Sequence, residues 1–559
     1  MSRLLAFGVP FISVFIVTGS VTDPVNMTKL LALGAIGTAS VALVVFRGFS
    51  LALKTSKVTV FILGLFSLAA IISVLFSELP LSQNIYGVYG RNTGLLTYLF
   101  LAGIALGTLT LLSIKSFSLI YKGLFLAGLV NVVYCGWVIF FGDFVSWNNP
   151  YGNILGLFGN PNFIGAFLGI WISATVGYVV GAVIPLWKRL IHLPLVLLAM
   201  FEVYKSHAVQ GVVVTAAGLA TVGFFIIRSR TSSWIPVGVY TAGILGFGFT
   251  ALAGALQKGP LAEYVYKTSV SLRGSYWHAG ISNGLNNPFT GVGMDGYGNW
   301  YRRSRSEYAA TVMPGPRTVS NSAHNVVIDI FSSGGFPLLL SYLLLIALGA
   351  IAIIRGLRRS KKYDPVFVAL TVAWLGYQLQ SFISINQIGL AVWGWLLTGA
   401  LIAYQAMLEK NNQVSKSSNS NYEIKRTGRF KSEVVSSPLI AGLGAVIGLI
   451  LASPPMSGDM AWVKSLKTSN FNEVKKVLEP SYLHPRSSDQ LVNAITVMEN
   501  SKLFDQAHEY ALIATKYNPA SFESWNLLYL IQKSTQEERD LALQNMRRLD
   551  PHNPDVTQR

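Results

Sequence analysis

The sequence predicts an all-α fold: a polytopic membrane helical bundle of about 13 spans, with a long extracytoplasmic loop and a C-terminal helical-repeat domain. Three observations predict it. Of 559 residues, 52% are hydrophobic and only 12% charged, about half the usual soluble share, too few to cover a soluble surface. The apolar residues fall in runs close to the roughly 20 residues that cross a bilayer core as a helix. Lys and Arg, the source of the +18 net charge, gather in every second short loop, as the positive-inside bias requires. That distribution assigns the charge to topology and gives no ground for a nucleic-acid partner. The single cysteine, Cys135, lies in an apolar run, which excludes a disulfide framework or a cysteine metal site.

The apolar runs are 4–20, 30–46, 58–76, 94–113, 118–141, 161–183, 190–205, 210–227, 234–256, 325–354, 364–383, 388–407 and 437–453. The first has no small-residue cleavage site before the next and is read as retained. Arg47, Lys54 and Lys57 follow the second run, Lys115 the fourth, Lys188 and Arg189 the sixth, Arg228 and Arg230 the eighth. Arg355, Arg358, Arg359, Lys361 and Lys362 follow the tenth, and Lys410 to Lys431 the twelfth. The N-terminus is therefore expected in the cytoplasm and the tail outside. The outside face then holds 77–93, 142–160, a tight turn near 206–210, the long loop at about 257–324 and the tail.

The expected organisation is a membrane domain at 1–407, a basic cytoplasmic linker at 408–436, a final span at 437–453 and a tail at 460–559. The linker is polar and low in apolar residues, a disordered composition. In the tail, Pro485 and Pro519 stand 34 residues apart, the period of tetratricopeptide repeats. Ala507 and Ala511 offer small residues for close helix packing, and Trp525 falls early in the next helix. Such a tail binds a protein partner or packs on the long loop; an unrelated helical bundle would serve equally.

The long loop is the first candidate for chemistry, because short connections suffice to join helices. It carries Lys258, Lys267, Arg273, Arg302, Arg303, Arg305 and Arg317 against Glu263, Asp295 and Glu307. The positive-inside bias should deplete those cations, so they point to an anionic ligand, which Arg holds with paired charge-assisted hydrogen bonds. A solvated loop surface is the alternative for each. His324 stands where the loop re-enters the membrane, in Ser320-Asn321-Ser322-Ala323-His324-Asn325. An imidazole there suits a general base or a helix cap. Asp329, one turn further in, and Glu202 are intramembrane ionisable groups, which tend to face cavities; Glu202 and Lys205 can pair on one helix face. Asn160 and Pro161 suit a helix cap and first turn, and Asn160 and Asn162 also suit sugar hydroxyls. No P-loop or His-Glu-x-x-His is present, nor a paired Asp-x-Asp on the long loop, so neither a metal nor a cofactor is expected.

Four segments in order resemble the O-antigen ligase and O-antigen polymerase superfamily over about residues 1–407. They are Gly87-Val88-Tyr89-Gly90-Arg91-Asn92-Thr93-Gly94-Leu95; Gly159-Asn160-Pro161-Asn162 with Gly165; Arg273-Gly274-Ser275-Tyr276-Trp277 with Asn287-Pro288 and Gly291-Val292-Gly293; and Ser322-Ala323-His324-Asn325 with Gly334-Gly335-Phe336-Pro337. The resemblance implies a GT-C-type glycosyltransferase of a bacterial plasma (inner) membrane. An acceptor hydroxyl, on a lipid, a glycan or a protein, attacks a glycan carried on a polyprenyl diphosphate. The diphosphate leaves with inversion, and no metal is needed. His324 and Arg273 become the expected catalytic residues. Arg91, Asn160, Asn162, Arg302, Arg303, Arg317 and Asn325 become the expected substrate contacts. The sequence departs from the family at the turn Tyr204-Lys205-Ser206-His207-Ala208-Val209-Gln210-Gly211, where an Arg after a Ser is usual; Lys205, His207 or Gln210 must take its place. A transporter or flippase of a lipid-linked anionic glycan, or a membrane scaffold acting through its tail, are the competing readings.

Overall fold

A computed structural model describes the chain except residues 182, 261, 266–267, 360–361, 418–435, 469 and 559. Lys267, Lys361 and most of the expected linker fall outside the described residues. Among those described, the secondary structure is helical, with no strand. Each expected apolar run overlaps a helix, but Ser2–Val14 and Leu95–Thr108 are short, and eight helical segments among the described residues are long and apolar enough to cross a membrane on their own. One of the eight is a 50-residue segment, Asn26–Leu75, that contains two expected spans in one run. The helix Ile388–Ser417 runs through the centre, its apolar window wholly buried. It also runs ten residues past the expected end of the membrane domain at 407.

Small residues let the helices close on each other. Pro161–Val179 packs on Val209–Arg230, where a Cβ on Gly211 would meet the Gly165 backbone at 2.8 Å. The helix Ser437–Thr468 packs on Asn26–Leu43, where a Cβ on Gly448 would lie 2.0 Å from the Gly34 carbonyl. This is the small-residue seam by which apolar helices associate without a hydrophobic driving force. The last helix does not stop at the expected 453. It continues through Pro454 and Pro455 to Thr468, and its Asp459 takes hydrogen bonds from the Thr22 amide at 2.6 Å, the Thr22 hydroxyl and Tyr89.

Beyond it stand two helical hairpins, Ser488–Asn500 with Phe504–Tyr517 and Phe522–Leu530 with Gln536–Leu549. They open three residues after Pro485 and Pro519 respectively. Their own core buries Ala507, Ala511, Trp525 and Met546. The hairpins lie on the long loop, one of the two arrangements expected of them.

Candidate functional site

Segment 77–93, the long loop and the tail meet at one end of the bundle. The helix Val326–Arg359 breaks at Gly334 and Gly335, the latter at φ +62°. Into that break folds the loop segment 287–293: Val292 and Gly293 donate to the Ser332 and Ser333 carbonyls at 2.9 and 3.1 Å, and Phe336 to that of Pro288 at 2.7 Å. A Cβ on Gly291 or Gly335 would come within 2.3 Å of the opposing backbone. The Gly291-Val292-Gly293 and Gly334-Gly335 motifs are therefore the two sides of one backbone joint. It fixes the following residues: Met294 donates to Asn84 at 3.0 Å, and the Asp295 carboxylate takes the Val88 amide at 2.8 Å. Asp295 also faces Arg91 at 3.4 Å, and Arg91 donates to the Asn321 carbonyl.

Arg91 thus reaches the turn that carries His324. That turn is held from inside the membrane helix, where the buried Asp329 carboxylate takes the Ser322 hydroxyl at 2.6 Å and the Ala323 amide at 2.7 Å. His324 itself adopts φ +55°, a left-handed conformation uncommon outside glycine. Its ring stacks on Tyr276 with centroids 5.4 Å apart. Its Nδ1 lies 3.2 Å from the Ser322 carbonyl. A carbonyl can only accept, so the contact puts the proton on Nδ1 and leaves the Nε2 lone pair available. Burial pushes the imidazole below its ordinary 6.5; the Ser322 hydrogen bond opposes this, and the Arg273 and Arg91 charges add to it.

Arg273 and Tyr276 stand one helical turn apart on Thr268–Asn286, so one face brings both toward His324. That helix is held by Tyr297, whose hydroxyl donates to the Tyr276 carbonyl at 2.8 Å. Burial lowers the Arg273 guanidinium from its ordinary value, and no ion-pair partner of Arg273 lies among the described residues. Arg91 is buried too, but Asp295 and Asp329 outweigh its desolvation and raise its pKa. The structure thus gathers Arg91, Arg273 and His324 into one partly buried cationic nook.

Other expected contacts lie elsewhere. Asn325 caps its helix, its side chain taking the Val327 amide at 3.0 Å. Asn160 caps Pro161–Val179 and also lines a cavity of about 450 Å³ with Asp23, Asn26, Arg91, Trp147 and Asn386; Asn162 is exposed beside it. At the departing turn, Lys205 lies exposed over the Phe201 ring and His207 beside Tyr204. Gln210 is buried with no hydrogen-bond partner for its amide. Glu202 and Lys205 do not pair: the carboxylate is buried beside Gly136, while the ammonium points outward.

Arg302, Arg303 and Arg317 are taken up by acids. Arg302 bonds Asp550 at 3.1 Å and Glu523 at 3.2 Å, Arg303 faces Glu78 at 3.5 Å, and Arg317 faces Asp555 at 3.5 Å. Between them Arg305 and Asp550, both with 0% side-chain exposure, meet at 2.7 Å. Three further guanidinium bonds from Arg305 go to the Gly315, Thr318 and Pro316 carbonyls.

Residues 193–343 match the O-antigen ligase family. The matched stretch runs from within the helix Leu186–Lys205, across the departing turn and the whole long loop, to the helix behind His324. It therefore contains both Arg273 and His324. No curated protein matches the chain. Residues 193–343 therefore carry an O-antigen ligase domain within a bundle of membrane-type helices, a family whose setting is the membrane and lipid-linked glycans.

Sequence reading missed the positioning groups. Asp329 was legible only as a costly intramembrane carboxylate, and Asp295 only as one of three acids in a basic loop. Their partners, the turn amide at 323 and Arg91, are not marked by any local spacing.

Proposed function

We propose that this protein is an inverting, metal-independent glycosyltransferase that moves a glycan from a polyprenyl diphosphate to an acceptor hydroxyl at the outer face of the plasma membrane. The observation that carries the reading is the partly buried nook of His324, Arg273 and Arg91. The acceptor oxygen attacks the anomeric carbon and gives its proton to His324 Nε2. The bond from that carbon to the diphosphate oxygen breaks, its electron pair leaves on the diphosphate, and the carbon inverts. Arg273 is the guanidinium suited to that developing charge, because it is partly desolvated and no carboxylate among the described residues pairs with it. Arg91, half-neutralised by Asp295, orients the His324 turn and presents its remaining N–H groups to the 450 Å³ cavity. That cavity's amides and Trp147 suit the sugar next to the diphosphate.

The test is transfer in vitro from a fluorescent polyprenyl-diphosphate glycan to lipid, glycan and protein acceptors, with and without chelator. Transfer that survives chelation is expected. Loss restored by a divalent ion would overturn the metal-independent mechanism, and absence of transfer to every acceptor would favour a transporter or scaffold. The orientation is tested separately. The one native cysteine is buried, and cysteines placed at the exposed Glu307 and Ser501 should both react with an impermeant thiol reagent in intact cells. Labelling only after lysis would reverse the topology.

A further inference from the structure

A second cavity, of about 300 Å³, opens between the tail and the two outer segments, within the size range of small-molecule sites. The turn 87–92 is the wall between it and the larger cavity: Gly90 and Arg91 face one, Gly87, Val88, Tyr89 and Asn92 the other. The tail supplies the opposite wall with Arg486, Asp489, Tyr517 and Glu523. This wall is fixed in place. Ser82 bonds the Arg486 carbonyl at 2.9 Å and the Tyr517 hydroxyl at 2.6 Å, Arg302 lies 4.2 Å from the Phe522 ring, and the buried Arg305–Asp550 pair sits behind.

The cavity has unmet hydrogen-bonding capacity. Asn92 is 2% exposed and its side-chain oxygen has no partner; the Arg486 Nε is likewise buried and unpaired. Leaving such groups desolvated and unsatisfied is unfavourable, and a ligand bearing both donors and acceptors would satisfy them. The charges define that ligand further. Glu523 is already paired with Arg302, and Asp489 stands against Arg486, so the groove offers no surplus of positive charge to a diphosphate. Carboxylate, amide and guanidinium groups beside the rings of Tyr86 and Tyr517 fit hydroxyl groups and the apolar faces of sugar rings. The cavity is also placed for the reaction, since Asn321, which lines it, belongs to the turn that ends in His324.

We propose that this groove binds the acceptor, and that the acceptor is an uncharged, hydroxyl-rich oligosaccharide. The proposal rests on the transferase reading above for the word acceptor, while binding itself can be measured without turnover. The full-length protein in detergent is titrated with a fluorescent derivative of the oligosaccharide released by mild acid from the host's polyprenyl-diphosphate pool, and with inorganic pyrophosphate as competitor. Asp489→Asn removes a charged hydrogen-bonding group and should weaken binding about 10-fold or more. Ser487→Trp, at a position that lines the groove and makes no side-chain cap bond, fills the groove without deleting a contact and should abolish binding. Pyrophosphate should not compete. In transfer assays both variants should raise the KM for acceptor and leave donor binding unchanged, with the unfolding midpoint verifying that the tail stays docked. Unchanged oligosaccharide affinity in both variants, or competition by pyrophosphate, would overturn the groove as acceptor site even if transfer proceeds. Binding that behaves as described in a protein that transfers nothing would leave the groove standing and sink the transferase reading instead.

Discussion

The long loop holds its cations in two settings. In its first half, Arg273 lies on a helix face beside His324, partly buried and with no acid partner among the described residues. In its second half, Arg302, Arg303, Arg305 and Arg317 each face a carboxylate, three of them from the tail. Both halves are rich in arginine, yet for opposite reasons. The first leaves positive charge unspent at a desolvated spot, which suits an anion that comes and goes. The second uses positive charge to fasten one part of the chain to another. A count of cations in an outside loop therefore says nothing about ligand binding until the acids that meet them are located.

The sharpest way to test the contrast is at His324. His324→Ala should lower turnover by roughly 10²–10⁴-fold, the contribution of a positioned base, while the donor still binds. The parent enzyme should lose activity as pH falls through a value below 6.5, because the imidazole must be neutral to accept a proton and burial holds its pKa down. A rate independent of pH from 5 to 8, or an alanine variant at the parent rate, would remove His324 from the chemistry.

In the second half the large effect is on stability. Asp550→Ala leaves Arg305 buried and unpaired, which costs about 3–5 kcal/mol, read as a lower denaturation midpoint of the tail. An unchanged midpoint would mean that the tail is not fastened there.

Back in the first half, Arg273→Ala should reduce transfer by roughly 10²–10³-fold, with Arg273→Lys restoring only part, since Lys lacks the planar fork. The same substitution removes a cation that opposes the imidazolium, so the inflection of the pH profile should move up toward 6.5. An inflection that stays in place would separate the two residues.

The smallest effect belongs to Arg317, whose side chain is 91% exposed. Arg317→Ala should change stability by about 0–1 kcal/mol and transfer not measurably. A 100-fold loss of transfer would return it to the substrate contacts.

The helices were legible in the sequence because each apolar run must satisfy its own backbone in a medium without water. Their ends were less so. Pro454 and Pro455 look like a stop, but the helix runs through them, continuing the face that packs on Asn26–Leu43 through Gly448 and Ala452. His324 and Arg273 were legible because motif and chemistry coincided. The fates of Arg302 and Arg305 were not, because their partner Asp550 lies 248 and 245 residues away and nothing near it marks it as their counterpart. Asn325 carried a familiar motif whose role here is to start a helix.

The contact between Thr22 and Asp459 joins positions 437 residues apart. At a synthesis rate of about 5–20 residues per second, the first outer segment waits roughly 20–90 s on the ribosome's timetable before its counterpart exists. Until the last helix has been inserted and has found Gly34, Arg302 and Arg305 have no Asp550, and Ser82 has no Tyr517. This end of the bundle is therefore the last part to be completed, and a nascent or truncated chain carries the His324 turn without the tail packed on the long loop.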